Sequence, residues 1–73
     1  NLFGEGSMWQ VVYIAPNSME AKKIKQLLEQ EGFLVEIQAT TQKAKNTGIG
    51  SFEIKILHSE ILEAIEVLHA NGY

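Results

Sequence analysis

The sequence predicts one small α+β domain of order β-α-β-β-α, a two-layer sandwich with a three-stranded sheet and both helices on one face. Three observations lead there. Two segments alternate apolar and polar residues, after a first segment rich in β-branched and aromatic residues. Two others repeat apolar residues at helical spacing. A polar stretch with two glycines separates the second and third strand segments. The 73 residues fit a single domain, and a chain this short buries only about 60–65% of the surface it exposes when unfolded. Its stability is expected to be modest, and a partner subunit would add to it.

Residues 8–15 include Trp9, Val11, Val12, Tyr13 and Ile14, the composition of a strand. Pro16 cannot donate to a ladder and is expected to end it. Asn17 is placed to cap a helix, with its side-chain oxygen accepting from first-turn amides and Glu20 reaching back as the capping-box partner. Ala21, Ile24, Leu27 and Leu28 form one apolar stripe, while Lys22, Lys23, Gln26, Glu29 and Gln30 take the wetter face. Gly32 stops the helix in the left-handed conformation, and Phe33 is set to fold back on Leu28.

In residues 33–39, Val35, Ile37 and Ala39 alternate with Glu36 and Gln38, as a half-buried strand does. Residues 40–50 are polar, without apolar periodicity, and read as a long hairpin connection. Phe52, Ile54 and Ile56 then alternate with Glu53 and Lys55 in a third strand. Ser59 is expected to cap the second helix, with Ile61, Leu62, Ile65 and Leu68 facing inward and Glu60 near the positive amino end. Asn71-Gly72 ends it.

This order suggests a truncated ferredoxin-like arrangement without its fourth strand. In that layout the first and third strands run parallel side by side, and the second is antiparallel to the third. The first strand then lies on an edge. Its apolar character makes Trp9, Val11 and Tyr13 a candidate self-association edge and a homodimer the expected assembly.

Composition removes several function classes. No cysteine is present, so disulfides and thiolate zinc sites are excluded. Every cation is lysine and every anion glutamate; without arginine the chain lacks the planar fork that best grips phosphates and guanine edges. With a net charge of −3, nucleic acid is not an expected partner. The longest apolar run, residues 11–16, is far short of a membrane span, and a cytoplasmic setting is expected. Residues 1–7 resemble an expression-tag remnant, with Met8 as the natural start; setting them aside leaves eight acids against six bases over residues 8–73.

No constellation of catalytic groups emerges. His58 and His69 lack the i, i+4 spacing of a helical metal site. Ser59 follows His58 directly, and adjacent residues rarely face each other; no aspartate exists to orient the imidazole. The glutamates fall on exposed helix faces rather than in a water-poor pocket. No catalytic residue, metal site or cofactor is expected. The chemistry concentrates in residues 40–50, where Thr40, Thr41, Lys43, Lys45, Thr47, Gly48, Ile49 and Gly50 supply hydroxyls, cations and permissive backbone for a ligand or partner. Ile49, apolar amid polar residues, favours a protein contact.

The runs WQVVYIAPN (Trp9–Asn17), EQEGF (residues 29–33) and FEIKILHSEILEAIEVL (residues 52–68) resemble a family of small bacterial β-α-β-β-α proteins assigned to signal transduction and likened to the nitrogen-regulatory PII proteins. The resemblance extends from Met8 to about Asn71. Some similar clostridial proteins carry a glutamate decarboxylase label, a chemistry that needs a large pyridoxal-phosphate fold. In PII proteins the loop between the second and third strands contacts protein targets and helps bind effectors. By position, residues 40–50 match that loop. This chain departs from PII in lacking a last strand and any arginine for nucleotide phosphates. The resemblance implies a non-catalytic regulatory or interaction module that engages a protein partner or itself. The alternative is a small-metabolite or nucleotide sensor with its site at a dimer interface.

Overall fold

A computed structural model of the chain describes residues 8–73; the tag-like residues 1–7 lie outside the described part. The element order is β-α-β-α-β-α: β1 (Trp9–Asn17), α1 (Ser18–Gln30), β2 (Val35–Ala39), α2 (Gln42–Thr47), β3 (Ile49–Leu57), one 3-10 turn (His58–Glu60) and α3 (Ile61–Ala70). The fold is α+β, as expected, but residues 40–50 hold a helix where a loop was predicted.

The three strands are ordered β1-β3-β2, with β3 antiparallel to both neighbours. The expected parallel pairing of the first and third strands is therefore wrong. The physical reason is the α1 crossover, which sets β1 and β2 parallel to each other; β3 reverses direction after β2 and slots between them. The placement of β1 on an edge is as expected.

Inner and outer sheet faces follow from the register. Ile54 stands opposite Tyr13 on one side and Ile37 on the other; Phe52 stands between Ala15 and Ala39. These residues face the helices. Ala21, Ile24 and Leu28 of α1 and Ala64 and Leu68 of α3 join Phe52, Ile54, Ile56, Ala15, Phe33 and Ala44 in one buried cluster. Burial of those side chains is the main stabilising term, each large aliphatic contributing about 1.5–3 kcal/mol. Among the described residues no helix contributes to the other face, which carries Val11, Ile14, Glu36, Gln38, Glu53 and Lys55. There Lys55 donates to Gln38 and approaches Glu53 at 3.9 Å.

The cap of α1 is as the sequence indicates: Glu20 N–H donates to Asn17 Oδ1 at 2.8 Å. The reciprocal half of the box is not made, because the Glu20 carboxylate turns to Lys23 instead. At the other end Gly32 takes φ +93° and Phe33 N–H donates to Leu28 C=O at 3.1 Å, a Schellman ending. The same geometry closes α3, where Gly72 is left-handed and Tyr73 N–H donates to Leu68 C=O at 2.9 Å. The Tyr73 ring then meets Tyr13 edge-on at 5.6 Å.

Four local expectations are corrected. Pro16 lies inside β1 rather than ending it, because β1 is an edge strand and breaks register between Ala15 and Asn17. The second strand starts at Val35 and the third at Ile49. Ser59 caps nothing: the 3-10 turn intervenes and α3 begins after Glu60 without a side-chain cap. Leu62 is 79% exposed, since Ala64 and Leu68 occupy the core-facing stripe, with Ile61 and Val67 packed at its margin.

Candidate functional site: a cleft between β2 and α2

α2 exists because its ends are well specified. Thr41 is extended, and its Oγ1 accepts from Ala44 N–H at 3.0 Å. Gly48 closes the helix in the left-handed conformation, with its N–H donating to Ala44 C=O at 2.8 Å. Within it Gln42 donates to Asn46 and Thr47 Oγ1 donates to Lys43 C=O. Ala44 is buried, and the helix lies close against β3: a Cβ on Gly50 would sit 2.9 Å from Ala44 Cβ.

Seating α2 there leaves a cleft of about 530 Å³ beside β2. Ile37, Ala39 and Phe52 supply its apolar floor, and Thr40, Thr41, Gln42 and Lys45 its polar wall. Gln38 also lines it. Its side chain bonds Lys55 on the outer face, so the cleft reaches the backbone edge of β2. Thr40 Oγ1 donates to Ser51 C=O at 3.0 Å, tying the wall to β3.

The cleft lining holds one cation, Lys45, and no carboxylate. Residues 37–52 contain two lysines and no acid, in a chain whose net charge is −3. Among the described residues the ion pairs are Lys23–Glu20, Lys25–Glu29 and Lys55–Glu53; Lys45 joins none of them.

Of the loop residues singled out from sequence, Thr40, Thr41 and Lys45 meet at this cleft. Lys43 and Thr47 lie outside its lining, and Gly48 and Gly50 serve backbone geometry. Ile49 stands on the outer sheet face, opposite Asn17 and 69% exposed. Sequence reasoning missed Ile37, Gln38, Ala39, Gln42 and Phe52 as lining. The missed signal was the cap pair Thr41 and Gly48, which brackets a helix of ordinary helix formers.

The edge residues divide between faces. Tyr13 points inward to Tyr73, while Val11 shares the outer face; Trp9 stands opposite Leu57 at the start of the strand. His58 meets Gln10 through its Nδ1 and is exposed, and His69 lies in the last turn of α3. Among the described residues no group of three or more acidic or histidine side chains is placed to hold a metal ion. No helix there is long and apolar enough to cross a membrane. No protein-family model, curated protein or solved structure matches this chain.

Proposed function

We propose that the chain is a small regulatory or protein-interaction module that performs no catalysis and self-associates through its uncovered sheet face. One observation carries this reading. Val11, Ile14 and Ile49, from adjacent strands, stand on the outer face with 37%, 56% and 69% of their surface exposed. Val11 and Ile14 stand beside Lys55 and Glu53, and Ile49 lies further along β3; exposed aliphatic side chains along a face that no described helix covers offer an interaction surface. The resemblance to a bacterial signal-transducing, PII-like family supports a regulatory role in the cytoplasm.

The contact runs through side chains rather than through strand pairing at β1. β1 carries register breaks at Val11/Tyr13 and at Ala15/Asn17, and Pro16 has no N–H to offer. Such features blunt an edge strand. Sedimentation velocity at tens of micromolar tests the reading. The wild type should sediment as a dimer, and Ile49→Asp as a monomer with unchanged circular dichroism. A monomeric wild type would overturn self-association.

A further inference from the structure

The free edge of β2 offers what β1 lacks. Thr40 N–H donates to Ser51 C=O at 3.1 Å, which makes Thr40 and Ser51 a hydrogen-bonded pair. In an antiparallel ladder such pairs alternate with non-bonded ones. Gln38 and Glu36 therefore bond toward β3, while Ile37 and Ala39 turn their N–H and C=O groups away from it. Among the described residues β2 has no strand on that side. Its register against β3 is unbroken over all five residues, and it contains no proline.

The same two residues point their side chains to the inner face, where they floor the cleft. Backbone donors, backbone acceptors and a side-chain receptacle thus lie along one line. Recognition by strand addition uses this combination, with main-chain bonds supplying affinity and alternate pockets specificity.

We propose that the β2 edge and the cleft beneath α2 form a docking groove for an extended acidic peptide segment of a partner protein, added antiparallel to β2. Charge complementarity selects the occupant: Lys45 on the wall is outside every ion pair given above, and no carboxylate lines the cleft; Glu36, on β2 itself, sits on the outer face. The peptide residue opposite Ile37 is apolar and rests in the cleft. The residue two positions earlier, opposite Ala39, is a glutamate or aspartate whose carboxylate reaches Lys45 and the Thr41 hydroxyl. The residue between them faces outward beside Gln38 and is polar. This inference rests on the reading of the chain as an interaction module but uses a different surface.

The probe is a short capped peptide of alternating threonine and valine, with one glutamate placed two positions before the central valine. Titration into isotope-labelled protein should move the amide resonances of Ile37, Ala39 and Thr41, and slow solvent exchange of the Ile37 and Ala39 amides. N-methylating the peptide valine opposite Ile37 should weaken binding about tenfold by removing one inter-strand donor. Lys45→Glu should weaken it roughly threefold to tenfold, and a peptide with lysine in place of glutamate should recover that loss. Ile49→Asp should leave the affinity unchanged, so failure of self-association and failure of this groove are read separately. The proposal is overturned by no binding, by resonance changes confined to Val11, Ile14 and Ile49, or by indifference to N-methylation. Equal competition by free glutarate would also overturn it, since that outcome describes a small-anion site.

Discussion

Replacing Gly50 by alanine tests whether α2 is held in place by a close backbone approach. Gly50 has φ +130°, a conformation L side chains rarely adopt, and its added Cβ would fall 2.9 Å from Ala44 Cβ and 3.6 Å from Ala44 Cα. Neither Ala44 atom belongs to a flexible side-chain tip, so relief requires moving the helix. The backbone conformation costs about 1–2 kcal/mol, and overpacking typically adds about 1–3 kcal/mol. Gly50→Ala should thus destabilise by about 2–5 kcal/mol.

Gly32→Ala supplies the control, because Gly32 also has positive φ, at +93°, but nothing lies within 4 Å of its added Cβ. It should lose only the conformational part, about 1–2 kcal/mol. Urea unfolding followed by circular dichroism gives both numbers from the same baseline. If α2 yields before the domain unfolds, Gly50→Ala should show accelerated amide exchange at Ala44 and Gly48 with little change at Ile54. Equal losses for the two variants, with unchanged exchange in α2, would refute the close-approach reasoning.

Other expectations concern caps and the orientation of α3. Asn17→Ala removes the acceptor of the Glu20 amide and should cost about 1 kcal/mol in urea unfolding. Thr41→Ala should have a similar local effect but appear chiefly as faster exchange in α2, since that helix holds a single buried residue, Ala44. Leu68→Ala, at 2% exposure, should lose about 2–5 kcal/mol, whereas Leu62→Lys, at 79%, should stay within about 0.5 kcal/mol of wild type. Comparable losses at the two leucines in thermal unfolding would contradict the orientation of α3.

The parts of the fold legible in the sequence are those where local signals agree. Asn17, the 21-24-28 stripe and Gly32-Phe33 specify α1 from both ends, and the alternation of residues 52–56 specifies the inner face of β3. Orientation of β1 against β3 was not legible from local pattern, because alternation is the same in parallel and antiparallel pairing. Chain reversal between β2 and β3 decides it. α2 was missed because a helix of six residues with one buried side chain leaves almost no periodic trace; its evidence is in its caps. Leu62 shows the complementary error. Apolar identity suggested burial, but α3 meets the sheet through the smaller Ala64. The cleft was half legible: Thr40, Thr41 and Lys45 are drawn from the polar stretch, while Ile37, Ala39 and Phe52 read only as core.

The alternation along β3 has a consequence for how the protein can change. Phe52, Ile54 and Ile56 are committed to holding the helices, and Glu53 and Lys55, one position away in each case, help shape the exposed outer face. Stability and recognition are thus interleaved along a single strand rather than assigned to separate regions. A saturation scan across it should show tolerance rising and falling with a period of two. Surface chemistry can then be retuned at odd-numbered positions without disturbing the even-numbered ones. A one-residue insertion, by contrast, would exchange the two roles at once.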